Sequence, residues 1–290
     1  MSTAPPPAWF TNALAAPRRE GAAEADGAAI HFLEWGDRGR PGLILVHGGA
    51  AHAHWWSFLA PLLADRRHVA ALDLSGHGDS GRRPAYSLEA WAGEVTAVAR
   101  EVAFAGPPVV VGHSLGGMIA IQAACDYGDG LAGAVLVDAP LRRPDPESVA
   151  GSRLRAFLSP GVYPTREEAL ARFRVVPDQP IPLPFLVEHV AAHSVREVEG
   201  GWTWKFDPGV FHRPRFPMAE RLARARCPVA LIYGEHSAVV PPDIAAYTAE
   251  IMGPGAPIVR LPGAYHHLLL DSPLEFVAAL AGLLAGWGRG

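Results

Sequence analysis

Residues 109–120 read VVVGHSLGGMIA, and Gly112, Ser114 and Gly116 within them fit the pattern G-x-S-x-G. A β-branched run precedes the pattern and a small-residue helical run follows it. That strand–turn–helix context is the one in which a serine becomes a nucleophile. A sharp turn lifts the Ser114 hydroxyl above a sheet, and glycines two before and two after it avoid clashes with the strained backbone. The N-terminus of the following helix favours negative charge developing nearby. A hydroxyl alone is a weak nucleophile and needs a positioned base. The stretch LPGAYHHLLLDSP, residues 261–273, offers His266 and His267. A third group must hold the imidazole in the right tautomer and stabilise imidazolium, and a carboxylate does this.

These groups need elements that bring distant parts of the chain together. Short apolar runs recur as IHFLEWG, LILVHGG, VAALDLSG, PVVVGHS, GAVLVDAP, VALIYGE and PIVRLPG, each followed by a turn and mostly by a helical pattern. Runs of this kind are strands buried on both faces, and their alternation with helices implies an α/β fold with a mainly parallel sheet. Helices are expected over 55–63, 88–104, 115–127, 243–252 and 273–287, the last with Ser272 as cap and Pro273 at its first position. The rhythm stops after Pro140 and resumes near residue 221. Between them lie many prolines, Trp202, Trp204 and helical pieces such as TREEALARF. We read residues 1–140 and 221–290 as one core, and 141–220 as a mostly helical cap over the sheet's C-terminal edge, where open α/β sheets bind ligands.

The chain has 290 residues, 49% of them hydrophobic and 19% charged, which suits a soluble globular protein. A net charge of −4 gives no basic footprint for nucleic acid. Residues 102–125 carry no charged side chain, but the prolines and glycines among them exclude a lone membrane-spanning helix. The N-terminal residues do not read as a secretory signal. Cys125 and Cys227 are read as buried thiols of a reducing compartment, and the expected location is cytoplasmic. His52 and His54 on one loop make an incomplete zinc site, so neither metal nor cofactor is expected.

With LVHGG, DLSGHGDSG, GHSLGG and the histidine turn followed by DSP, the chain resembles the α/β-hydrolase fold superfamily, in its cap-bearing lineage of serine esterases. The likeness implies an eight-stranded type of sheet with the cap inserted after the sixth strand. It places the base at His266, seven residues before the proline, and leaves His267 to packing. It implies an oxyanion hole from the N–H groups of Gly49, with Gly48 or Ala50 as alternatives, and of Leu115. His47 and Asp73 become scaffolding.

The acid departs from the pattern. Many members of the lineage carry it three residues after the glycine ending the penultimate strand, and Ser237 stands there. Asp138, ending the strand after that of the nucleophile, is the preferred candidate, since some members place the acid there. Glu235 is the alternative, and loss of the acid is the third possibility. Asp243 is explained as a helix N-cap. Candidates to line a substrate pocket are Trp55, Trp56, His113, Trp202 and Trp204, although tryptophans at a helix start also serve as core.

The leading expectation is a serine hydrolase of carboxylic esters or lactones acting on a medium-sized, apolar small molecule. The competing ones are a C–C bond hydrolase of diketones using the same residues, and a small-ligand binder on a hydrolase scaffold.

Overall fold

Four runs of apolar residues, Gly42–Val46, His68–Leu72, Val109–His113 and Gly133–Val137, are buried along their whole length. Strands with no exposed face must be covered on both sides, which demands helices above and below a parallel sheet. The computed structural model describes residues 5–141, 161–212 and 217–287 and has this form. Its strands are β1 (Arg19–Ala25), β2 (Ala28–Trp35), β3 (Gly42–Val46), β4 (His68–Leu72), β5 (Val109–His113), β6 (Gly133–Val137), β7 (Val195–Val198), β8 (Gly201–Trp204), β9 (Val229–Gly234) and β10 (Ile258–Leu261). Eight of them form one sheet in the order β1-β2-β4-β3-β5-β6-β9-β10, parallel from β4 onward.

The helices are α1 (Ala8–Ala15), α2 (Ala60–Ala64), α3 (Leu88–Val102), α4 (Leu115–Tyr127), α5 (Arg166–Leu170), α6 (Pro184–His193), α7 (Met218–Leu222), α8 (Pro242–Met252), α9 (Leu268–Asp271) and α10 (Pro273–Trp287). Alternate strand residues feed two cores. Ile44, Val46 and Val110 join Trp91 and Ile119 on the side of α3 and α4. Leu43, Leu45 and Val111 join Leu63 and Phe276 on the side of α2 and α10.

Several expectations are corrected. The first strand, REGAAEA, is too rich in alanine and charge to show an apolar run, yet it pairs along its whole length with β2. The turn between them is Asp26-Gly27, both at positive φ (46° and 78°), a hairpin signal that was present in the sequence. The single helix expected from Trp55 is a 3-10 turn at Ala53–Trp55 followed by α2. Asp243 lies inside the first turn of α8, whose N-cap is Pro241, so its carboxylate complements the helix dipole without capping. Cys125 and Cys227 are free but only half-buried. No helix among the described residues is long and apolar enough to cross a membrane.

Of the segment 141–220, residues 142–160 and 213–216 lie outside the described residues. The described part holds α5, α6, a 3-10 turn at Pro208–Phe211 and the start of α7, but also the antiparallel hairpin β7–β8. Its two-residue turn ends on Gly200 at φ 85°, and the β-branched and aromatic residues of VREV and GWTW favour extended backbone. The segment is tied to the loop after β4 by Gly78 N–H donating to Lys205 O (2.7 Å) and Asp207 N–H donating to Gly76 O (2.7 Å).

Candidate active site

The register of the sheet delivers two of the three groups. His113 pairs with Val137 and Val137 with Ile232, so Ser114, Asp138 and the end of β9 leave the sheet side by side at its C-terminal edge. Ser114 has φ 53° and ψ −112°, and Asp138 has φ 47°. Non-glycine residues at positive φ are strained by about 1–3 kcal/mol each and cluster where function demands them. Ala50 at φ 56° adds a third beside the same edge. Glycine is required at position 112, because a Cβ there would run into the backbone of Gly116 and Gly117. Ser114 is the N-cap of α4, yet its side chain caps no helix N–H. The hydroxyl is therefore not spent on the helix.

His266 and Asp138 are joined directly. The Nδ1 of His266 lies 2.7 Å from Asp138 Oδ2, with both side chains buried. Ser237, which had posed the question of the acid, donates its hydroxyl to the same Oδ2 at 2.6 Å, and Gly234 N–H donates to Oδ1 at 3.0 Å. Ser237 Oγ in turn accepts from Val239 and Val240 N–H, both at 3.0 Å. A carboxylate fed by two such donors and by an imidazole N–H is held ready to accept. Gly234 is needed here too, since a Cβ would meet the carbonyls of Ala264 and Tyr265 in the histidine turn. Glu235 points elsewhere: it accepts from Gly263 N–H at 2.8 Å and lies 3.6 Å from Arg260.

The loop after β3 lies over Ser114. A Cβ on Gly48 would sit 3.5 Å from the Ser114 Cβ, and one on Gly49 would sit 3.9 Å from Leu115 Cδ2. His47 braces this loop, its Nε2 accepting from Leu74 N–H at 3.0 Å. Asp73 accepts from Ala53 N–H (2.6 Å) and Asp79 N–H (3.0 Å) and meets His31 Nδ1 (2.7 Å). These bonds fit both residues to scaffolding.

The aromatic candidates divide. Trp56 is fully buried and packs 6.1 Å from Phe276, in the core. Trp55 is buried with its ring 5.5 Å from that of His267. Trp202 lies under Arg166 (5.9 Å), and Trp204 packs against Tyr163 and Phe173, within the 141–220 segment itself. His113 braces the histidine turn through a 2.9 Å bond between its Nε2 and His266 O. Burial pushes the His113 imidazole down to about 3 and that of His267 well below its ordinary value. Both rings flanking His266 therefore stay neutral near pH 7, and neither adds a positive charge opposing an imidazolium there.

Two residues complete the turn, Gln179, which had no sequence signal, and Asp271 of the DSP motif. Gln179 Oε1 accepts from His267 N–H at 2.8 Å, and its Nε2 donates to Asp271 Oδ2 at 2.7 Å. The same Oδ2 accepts from Tyr265 N–H at 3.0 Å. The N–H groups of the residues on either side of His266 are thus held, one by an amide from the 141–220 segment and one by the aspartate of DSP.

Fold and site together define a class. Residues 43–280 match the profile of the alpha/beta hydrolase family, and the chain belongs to that family of hydrolases. It is 28% identical to a pimeloyl-(acyl-carrier protein) methyl ester esterase of Chromobacterium violaceum, over 83% of this chain and 93% of that one. It is 26% identical to the magnesium-chelatase 30 kDa subunit of Rhodobacter capsulatus, over 98% of each. The crystal structure of E-2-(acetamidomethylene)succinate hydrolase superposes with a TM-score of 0.80 at 22% identity, covering 93% of this chain and all of that one, a likeness of fold.

Proposed function

We propose that the protein is a serine hydrolase that cleaves a carboxylic ester or lactone through an acyl-enzyme on Ser114. The observation that carries this reading is the grip of Asp138 on His266 Nδ1, at the end of the strand beside the serine's own. With Nδ1–H donated to the carboxylate, Nε2 keeps the lone pair that takes the proton of Ser114. Ser114 Oγ then bonds the carbonyl carbon, and the N–H groups of Gly49 and Leu115 receive the oxyanion. His266 returns the proton to the leaving alkoxide, and a water activated the same way releases the acid. Similarity to a methyl ester esterase supports ester over C–C cleavage.

The 141–220 segment acts as the cap in this reading. Its hydrogen bonds to the loop after β4 and to the histidine turn support a position over the C-terminal edge, and a medium-sized apolar substrate is proposed for the space beneath it. The cytoplasm is the proposed location.

A screen of p-nitrophenyl esters, lactones and vinylogous diketones tests the assignment. Turnover of esters or lactones that disappears in Ser114→Ala is expected; turnover of the diketones alone would replace ester hydrolysis with C–C cleavage. Gln179 enters as a positioning residue. Gln179→Ala is expected to lower kcat about tenfold with KM little changed, since a slight misplacement of the base weakens proton transfer more than binding. An unchanged kcat, or a rise in KM alone, would remove Gln179 from that role.

A further inference from the structure

The 3-10 turn Ala53–Trp55 follows directly on the loop that covers Ser114, and α6 of the 141–220 segment lies against it. Three histidines meet at this contact: His54 from the turn, and His189 and His193 from α6. The two on α6 are four residues apart and share one helix face, the spacing by which a single helix offers two ligands to a metal. One ring nitrogen from each of the three lies within 4.8 Å of the others. His54 and His193 stack with centroids 3.8 Å apart, and His189 lies 4.6 Å from His193.

The hydrogen bonds around the cluster favour ligation. His193 Nδ1 lies 2.9 Å from His189 O, so Nδ1–H donates to that carbonyl and Nε2 keeps its lone pair. A metal-bound histidine ordinarily has such a carbonyl behind it. His189 is steadied by a 2.8 Å bond between its Nε2 and Ser57 Oγ. His54 is 9% exposed, and its buried Nδ1 has no hydrogen-bond partner. A buried polar atom left unpaired calls for an explanation such as an ion. His52 stands outside this group of three, its Nε2 at 2.9 Å from Ser194 Oγ and 3.2 Å from Val190 O.

We propose that His54, His189 and His193 form a zinc site, completed by water, that fastens α6 to the turn behind the Gly48–Ala50 loop. Three imidazoles suit zinc, and tetrahedral bonds of about 2.1 Å bring their nitrogens to about 3.4 Å from one another. Binding therefore closes the cluster and splays the stacked pair of His54 and His193. Fixed charges of both signs surround them, Arg18 and Lys205 against Asp73 and Asp79. His189 and His193 are half-buried, which leaves a way in for the ion and its water.

Equilibrium dialysis of the chelator-stripped full chain against zinc chloride tests the site, with no reliance on activity. One zinc per chain is expected, with a rise in Tm of about 5 °C at a hundredfold excess over Kd. Cobalt in its place should give the strong visible absorption of a tetrahedral ion. His54→Ala and His193→Ala should each weaken binding about 100-fold or more, and His189→Gln, which keeps a hydrogen bond to Ser57, serves if either fails to fold. His266→Ala should bind as wild type does. No saturable binding by about 100 μM zinc, or binding unchanged in the folded variants, overturns the proposal. Loss in His266→Ala alone does so too, by moving the ion to the cluster of His113, His266 and His267.

Discussion

Ser114→Ala is expected to lower kcat/KM for esters by about 10⁴- to 10⁶-fold while leaving the fold intact. The size of the loss follows from what the proposed mechanism asks of the serine, the atom that bonds the carbonyl carbon. Without it, only oxyanion stabilisation and substrate binding by Gly49, Leu115 and the surrounding walls remain, and these give a small residue of rate. The fold should be indifferent, because the lost Oγ caps no helix and alanine carries the same Cβ, hence the same strain, at φ 53°. Comparison of kcat/KM and Tm for the two proteins checks both halves. A fall below tenfold would move the nucleophile elsewhere, and a collapse in Tm would make the serine structural.

Asp138→Asn is expected to lower kcat by about 10³- to 10⁴-fold, through the wrong tautomer of His266. The asparagine amide can accept at one atom only, whereas Asp138 receives His266 Nδ1–H and the Ser237 hydroxyl on Oδ2 and Gly234 N–H on Oδ1. Ser237 supplies a sharper version of the experiment. Its Oγ lies 2.6 Å from the carboxylate oxygen that grips the imidazole, so a carboxylate at 237 can reach the same nitrogen. Val239 and Val240 N–H would donate to it as they do to the serine. The double variant Asp138→Asn/Ser237→Asp should therefore regain about tenfold or more over Asp138→Asn. Glu235→Gln should leave the rate as it is, because that side chain serves Gly263 and Arg260. A rate insensitive to Asp138→Asn, or one that falls only with Glu235→Gln, would reverse the choice of acid.

What was legible in the sequence was whatever is written locally. The strand runs, the glycines around Ser114 and the Ser272–Pro273 start of α10 act within a few residues of where they are read. Asp138 could be singled out because it ends a strand, and strand ends meet at one edge. Contacts between distant segments left no mark. Gln179 reaches the histidine turn from 88 residues away, and nothing in VVPDQPIP announces it. Trp55 and Trp56 adjoin in sequence, yet Trp56 packs on Phe276 while Trp55 faces His267, a division set by tertiary packing. The hairpin β7–β8 has four residues to a strand, too few for the pattern of VREV and GWTW to stand out among prolines and helical fragments. The strand β1 is masked by its alanines, which give it no alternation, and the Asp26-Gly27 turn is its local signal.

The central claim is that Ser114 and His266 act together, and covalent capture by a fluorophosphonate, read by intact mass and peptide mapping, tests it most directly. One adduct per chain on Ser114 is expected, with its rate of formation falling about 10³-fold or more in His266→Ala. An adduct on another residue, or capture of Ser114 that is as fast without His266 as with it, would contradict the account.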